Sequence, residues 1–553
     1  MFINVWKKTR VFIYSNSLSI NVSIHICPKQ LSNMETLQCI ALATLVFVLI
    51  SYIAISPFRQ PSKTNLPPSP PRRPIIGHLH LLYRPLHKSI DSLFKQHGPI
   101  IRLSFGSRPV VLVSSASAVE ECFTKKDIVF LNRPRLLSAK RLNYNYTTIT
   151  SSPHGDHWRN LRRLTSAEIF STSGLVSSAS TRFEEAHVLI KQMVNKWRRD
   201  HEKSDDQFVK VEFKSVFSKV GFNIVMRMLG VKPCFEAEEM LEAEKGGKRL
   251  EDLMKRFHPQ EPFSLGDFFP FLWWLDRWFV GKKMIKLHQN RDVFIERLIE
   301  ERRESMCSSG VTKEGEKGAA IIDVLLCLQR ANPDYYTDDI IKGIVLIMFT
   351  PGTAALALFI EWAMALLLNN PHALTKTRDE IDSNIGRNRL LTESDLVKLP
   401  YLRNVINETL RLCNFAPILV PREASEDCTI GGYNISRGTM LLVNILAVHK
   451  DPNEWSEPTV FKPERFEGEG CERSGANWLP FGMGRRKCVG EGLALKTLGL
   501  IVGSMVQCFE WERVGEELVD MSAGMGSGFM AKAQPLEALY RPRDNLLEVF
   551  NQI

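Results

Sequence analysis

At positions 481–490 the chain reads Phe-Gly-Met-Gly-Arg-Arg-Lys-Cys-Val-Gly and then runs without a break into the helical stretch 491–503. Few folds accept such a segment, because a glycine-rich loop must deliver Cys488 to the N-terminus of a helix. The helix dipole and the loop N–H groups there favour thiolate over thiol. A thiolate held in this way is a metal ligand or a nucleophile. A nucleophile wants a nearby base, and no histidine lies in the segment. The other cysteines are scattered, none forms a Cys-x-x-Cys pair, and the total of 11 is odd. That pattern argues against a disulfide framework or a zinc site and for a reducing compartment, with the others small buried hydrophobes.

The rest of the chain has to build a core around that loop. With 44% hydrophobic and 24% charged residues over 553 positions, disorder, collagen and coiled coil are excluded. Lys plus Arg (71) exceed Asp plus Glu (61) by a formal +10, which suits an anionic membrane surface or an acidic protein partner. Nucleic acid is not expected, since the charge is spread along the chain with no basic run interleaved with aromatics. Helical periodicity dominates, over 183–201, 285–304, 343–368, 371–385, 401–413 and 490–508. Strand-like runs at 100–103, 110–113 and 439–443 are short. The expectation is a mainly α fold with a small β portion.

Residues 37–55 carry no charge and are about long enough to cross a bilayer. A signal peptide is the rival, but no basic segment directly precedes them and no clear small-residue cleavage site follows. Arg59, Lys63, Arg72 and Arg73 come next, so the long C-terminal part is expected in the cytosol. Lys7, Lys8, Arg10 and Lys29 in front balance that count, and a chain starting at Met34 removes the conflict. The organisation expected is a non-functional extension (1–33), a transmembrane anchor (34–58), a proline-rich hinge (59–74) and a catalytic domain (75–553). The hinge, with Pro67, Pro68, Pro70, Pro71 and Pro74, reads as a semi-rigid polyproline spacer. The segment 343–368 holds one charge, Glu361, and reads either as a second span or as a helix buried through a large domain. Glu361 and Pro351 make a lipid-facing span costly.

Phe481, Gly484, Arg486, Cys488 and Gly490 stand as in the haem-binding signature F-x-x-G-x-R-x-C-x-G, so the chain resembles the cytochrome P-450 family. The resemblance implies haem b (iron protoporphyrin IX) with Cys488 as the proximal iron ligand, whose electron donation favours O–O cleavage. It also implies close backbone approach to the porphyrin at Gly484 and Gly490, and Arg486 on a propionate. Glu408 and Arg411 would alone be a helical ion pair worth roughly 0.3–0.5 kcal/mol. With Arg465 they resemble the family's Glu–Arg–Arg lock. Trp158 and Arg162 match its W-x-x-x-R motif, whose side chains reach haem propionates, and Arg422 resembles another propionate-binding position. These motifs occur in order, and the resemblance covers about 66–541. It is strongest to plant microsomal members, in a subgroup of isoflavone 2′-hydroxylase-like and sesamin (methylenedioxy-bridge) synthase-like enzymes.

That resemblance implies a monooxygenase anchored by one span in the endoplasmic reticulum membrane, its domain in the cytosol and segment 343–368 crossing the distal haem face. Electrons would come from NADPH through a flavoprotein reductase on a basic proximal face, with Arg485 and Lys487 as contacts. The substrate would be a small apolar or phenolic metabolite, with Ile344, Met348, Phe349, Phe415, Ile418, Met525 and Phe529 as pocket candidates. A hydroperoxide-using isomerase or dehydratase, or a silent haem-binding relative, is the rival, separated by dependence on NADPH and reductase. An aromatic cluster at Phe268, Phe269, Phe271, Trp273, Trp274 and Trp278 is either core or a patch that dips into the bilayer. The glycines at 524–528 lack the strand–loop–helix context of a nucleotide loop and are expected to shape a turn into the pocket. Glycosylation patterns at Asn145 and Asn434 would face the cytosol.

One departure is sharp. The family's central helix carries A/G-G-x-D/E-T at the oxygen site, and the window here is Pro351-Gly352-Thr353-Ala354-Ala355. Ala354 stands for the acid and Ala355 for the alcohol. Thr353 cannot simply replace it, because two residues along a helix is about 200° around it. Neutral drift is one reading. An altered reaction is the other, since loss of this alcohol recurs in the bridge-forming relatives.

Overall fold

A computed structural model describes residues 7–15, 18–26, 41–46, 65–83, 85–202, 207–241, 246–258, 263–276, 280–309, 320–468, 475–524 and 529–543. The chain divides into Met1–Thr64 and Asn65–Ile553. In the first unit, β1 (Lys7–Ser15) pairs antiparallel with β2 (Leu18–Ile26), following the alternation of Ile20, Val22, Ile24 and Ile26. No hairpin is expected there from the sequence reading. Of the expected span 37–55, residues 41–46 are helical and exposed, and the rest lie outside the described residues.

In the second unit helices stand at each of the six stretches that periodicity marks, and others stand where it marks none. We label them α1 (Leu86–His97), α2 (Asp156–Leu164), α3 (Ala179–His201), α4 (Phe213–Met228), α5 (Gly247–Phe257), α6 (Val280–Ser309), α7 (Ile321–Ala331), α8 (Asp338–Asn369), α9 (Pro371–Asn384), α10 (Pro400–Leu412) and α11 (Glu491–Cys508). A four-stranded sheet joins β3 (Ile100–Phe105), β4 (Arg108–Val113), β7 (Met440–Val443) and β6 (Arg422–Glu423) in that spatial order. A three-stranded sheet sets β9 (Glu537–Pro542) between β8 (Phe509–Arg513) and β5 (Val209–Glu212).

The apolar helix α8 runs through the middle of this unit. Asp338 and Asp339 fill its first turn, where carboxylates suit the helix dipole, and Asn370 leaves helical geometry immediately before Pro371 opens α9. It is the one helix among the described residues long and apolar enough to cross a membrane, and 72% of its most apolar window is buried against protein. Glu361, 1% exposed, accepts the Leu536 N–H at 2.8 Å. A buried carboxylate bonded to the backbone of the C-terminal strand region marks a core helix, so the ambiguity of 343–368 resolves in favour of the domain interior.

Helix α4 packs along α8, and 13 of its 16 residues are buried. The polar groups on it are paired: Lys219 gives its Nζ to the carbonyl of Glu239, and Asn223 exchanges two bonds with the backbone of Phe235. The described part of the hinge is docked rather than free. The Arg102 N–H binds the Pro68 carbonyl at 2.8 Å, and His78 accepts from the Ser104 N–H and donates to the Pro70 carbonyl, each at 2.8 Å.

Candidate functional site

The cysteine loop is built by three backbone bonds before any side chain contributes. Gly482 N–H donates to Leu479, Lys487 N–H to Gly484, and Cys488 N–H back to Phe481 at 2.9 Å. Gly484 must be glycine for two local reasons. Its φ is +72°, and a Cβ would lie 2.4 Å from Asp127 Oδ1 and 2.9 Å from the Phe123 carbonyl. Within the protein, the crowding that demands this glycine comes from Asp127 and the Phe123 carbonyl. Gly490 differs: its φ is −87°, and a Cβ there meets nothing nearer than Cys488 Sγ at 3.9 Å. Space a Cβ would fill is left open beside the sulfur.

Cys488 has an exposed side chain yet is enclosed by protein on its other sides, so its surface is reachable while its solvation is poor. Burial pushes the thiol above its ordinary pKa, and the Gly490 N–H pulls it back only in part. A metal ion bound at the sulfur favours the thiolate, because a coordinating thiol is deprotonated outright.

Arginines surround the loop. Arg486 gives its guanidinium to the carbonyls of Leu131 (2.7 Å), Ile149 (3.2 Å) and Ser152 (2.7 Å) and lies 4.6 Å above the Trp158 ring. Arg162 donates to the Lys487 carbonyl at 2.5 Å. Arg422 binds Asp127 at 3.2 Å and the Met483 carbonyl at 2.7 Å, stacked 3.9 Å over Phe123. Arg133, absent from the sequence reading, binds the carbonyls of Val420 and Pro421, and its buried Nε has no partner. Burial, and then the neighbouring guanidiniums, push Arg133 and Arg486 below the usual arginine range, Arg486 to about 9. Such a cluster is short of anions. A planar group with two carboxylates and a metal at its centre fits both the cluster and the open sulfur. The residues present fit haem.

The predicted lock is formed. Glu408 takes Arg411 in a fork (2.7 and 2.8 Å) and accepts from Arg465 at 3.0 Å, with all three side chains at most 3% exposed. Arg411 also satisfies the carbonyls of His449 and Pro458 and lies 5.0 Å over Trp455. His449, a second residue missed from the sequence, carries this lock to the loop. Its Nε2 accepts the Leu479 N–H at 2.8 Å, so its Nδ1–H donates to the Arg411 carbonyl at 3.1 Å.

Along α8, Pro351 and Gly352 are exposed in the middle of an otherwise buried helix, and Ala355 is half-buried beside them. Thr353 lies on another face. A Cβ on Gly221 of α4 would sit 3.1 Å from the Thr353 carbonyl, and the Thr353 hydroxyl donates to the Phe349 carbonyl (2.7 Å). That hydroxyl accepts from His258 Nε2 at 3.1 Å. The open positions Pro351, Gly352 and Ala355 thus carry neither acid nor alcohol.

The pocket candidates separate. Phe349 stacks on Phe257 at 4.7 Å, with Phe222 and Phe294 near, so it belongs to the α4–α5–α6 core; Ile344 and Met348 are buried in the same cluster. Phe415 stacks on Phe529 at 4.2 Å, and Ile418 shares a small cavity with Phe529, His87 and Gly524. Met525 lies outside the described residues. The basic contacts expected for a reductase are already engaged: Arg485 pairs with Asp127 at 3.2 Å and Lys487 with Glu491 at 2.7 Å, both half-exposed. The aromatic cluster divides too. Phe268 and Phe269 pack inward, whereas Phe271, Trp273 and Trp274 are 57%, 60% and 53% exposed; Trp278 lies outside the described residues.

Residues 67–539 match the family model described as "Cytochrome P450". The chain is 46% identical to "Cytochrome P450 81Q32" of Catharanthus roseus over 89% of this chain and 94% of that one. It is 41% identical to an isoflavone 2'-hydroxylase of Medicago truncatula (92% and 98% covered) and 41% identical to a (+)-piperitol/(+)-sesamin synthase of Sesamum radiatum (93% and 98%). With its cysteine loop, its arginine cradle and its buried lock, this chain belongs to the cytochrome P-450 family of monooxygenases.

Proposed function

We propose that this chain is a haem-thiolate monooxygenase that oxidises a small apolar or phenolic plant metabolite, either hydroxylating it or closing a methylenedioxy ring, with electrons from NADPH through a flavoprotein reductase. The observation that carries this is the reachable Cys488 at the head of α11 beside an arginine cluster short of anions. When bound, haem supplies dioxygen activation at an iron held by Cys488. The chain's own part is to hold that group by Arg133, Arg162, Arg422 and Arg486, to brace the loop through Glu408, Arg411 and His449, and to shape the apolar side with Phe415, Ile418 and Phe529. Relatives named for isoflavone and for piperitol/sesamin support the substrate class.

Protons are the distinctive problem. Ala354 and Ala355 offer none, and Thr353 spends its hydroxyl on Phe349 and His258. The reading that follows takes protons from ordered water or from a substrate hydroxyl, as a phenol beside a methoxy group would provide. Product formed per NADPH consumed is expected to be several-fold higher on substrates with such a hydroxyl than on matched substrates without it. Ala355→Thr is expected to narrow the gap. Equal coupling of the wild type on both substrates refutes substrate-assisted protonation; no turnover by either protein favours drift to inactivity.

Residues 34–58 serve as the anchor in the endoplasmic reticulum membrane in this reading, with 1–33 dispensable. Phe271, Trp273 and Trp274 form a second, interfacial contact, since large exposed aromatics favour the headgroup region. Protein lacking residues 1–58 is expected to sediment with membranes until Trp273 and Trp274 are both changed to serine. If the truncated protein is already fully soluble without salt or detergent, the patch is not a membrane contact.

A further inference from the structure

The arginine cluster has one carboxylate contact among the described residues, and the sequence reading does not single it out. Asp127, 4% exposed, spends both oxygens on the cysteine loop and its surroundings. Oδ1 accepts from Arg422 Nη1 at 3.2 Å; Oδ2 accepts from the backbone N–H of Arg485 at 3.1 Å and from Arg485 Nη1 at 3.2 Å. The same carboxylate occupies the space that a side chain at Gly484 would need. Two of the cluster's five guanidiniums, Arg422 and Arg485, therefore meet one negative group, and that group is hydrogen-bonded to the loop backbone three residues before Cys488.

We propose that Asp127 is a positioning residue of the haem site, one that fixes the cysteine loop against the arginine cluster and sets the charge felt by the bound group. The inference rests on the haem-thiolate reading above. Two physical consequences follow. The first is mechanical: Asp127 takes Arg422 and Arg485, so it fixes how Arg422 stands in the cradle beside Arg133, Arg162 and Arg486, which are themselves bonded to backbone carbonyls. The second is electrostatic. A buried negative charge among cations opposes the uptake of an electron nearby, and its loss favours the reduced, more electron-rich centre. A clamp without electrical effect would show only the first.

The experiment uses the full chain loaded with haem. The wild type should give a reduced carbon-monoxide band at about 450 nm, as thiolate ligation requires; its absence overturns the haem-thiolate reading and this inference together. With the band present, Asp127→Asn, which keeps the shape and an acceptor oxygen, should fold with a lowered melting temperature, since the buried Arg422 loses its counter-charge. Its midpoint potential should be more positive, and its haem should pass to excess apomyoglobin about 10-fold faster, the usual scale for losing a supporting partner of a metal site. Asp127→Glu retains the charge on a longer arm and should return the potential towards wild type while haem transfer stays fast. If Asp127→Asn keeps both the wild-type potential and the wild-type transfer rate, Asp127 is only structural and the proposal fails. If Asp127→Asn does not fold, Asp127→Glu decides: a wild-type transfer rate in that variant refutes the positioning role.

Discussion

Cys488→Ser is expected to leave a folded protein that gives no reduced carbon-monoxide band at about 450 nm. The fold should survive because the thiol is not part of its packing: the side chain is exposed, and the loop is closed by the Cys488 backbone N–H on Phe481 at 2.9 Å, a bond serine keeps. Oxygen in place of sulfur is a harder, poorer donor to a haem iron, so ligation of the kind the site is shaped for is lost. Circular dichroism should track the wild type, with the melting temperature lowered by the weaker hold on haem and the main change in the spectrum and in activity. A wild-type-like band from the serine variant ends the assignment of Cys488. Loss of the fold would show that the sulfur is a core atom, contradicting its accessibility.

The site was legible wherever chemistry is written into local spacing. The loop, the lock residues and the W-x-x-x-R pair are each fixed by a few neighbouring positions, and the structure puts Glu408, Arg411 and Arg465 in contact as expected. Helices with one apolar face were legible for the same reason. Helix α4 was not, because burial of most of its surface removes the stripe that periodicity detects. Helices α2 and α5 are amphipathic but only 9 and 11 residues long, too short to stand out among charged neighbours. Arg133, Asp127 and His449 were missed on other grounds. Each belongs to no local motif and has partners far along the chain: Asp127 meets Arg485 and His449 meets Leu479 only after folding. Phe349 packs against Phe222, Phe257 and Phe294, a neighbourhood that position along α8 does not reveal because it depends on which face α4 and α5 cover.

Glu408→Ala is expected to cost about 3–5 kcal/mol of stability, the scale for removing one partner of a buried ion pair. Arg411 would remain fully buried with its charge uncompensated, still tied to the carbonyls of His449 and Pro458. Because His449 joins that arginine to the Leu479 N–H, the strain should reach the cysteine loop and loosen haem as well as lower the melting temperature. The double variant Glu408→Ala with Arg411→Ala should cost less than the sum of the single changes, since the second removes the stranded charge. Additive costs would mean that the lock is not a unit. Acid reaches the same link by another route. Burial pushes His449 down to about 3, so the folded chain keeps it neutral while the unfolded chain protonates near pH 6.5. The unfolded state then binds the extra proton, so the contribution is whole above pH 6.5 and declines by about 1.4 kcal/mol per pH unit below it, until about pH 3. His258, held near 4 by burial, declines over the upper part of the same window. Denaturant unfolding of the wild type from pH 7 to pH 4 should show that slope, and His449→Gln, weaker at pH 7, should show a shallower one. An unchanged slope in the glutamine variant would take His449 out of the acid response and leave the lock without its connection to the loop.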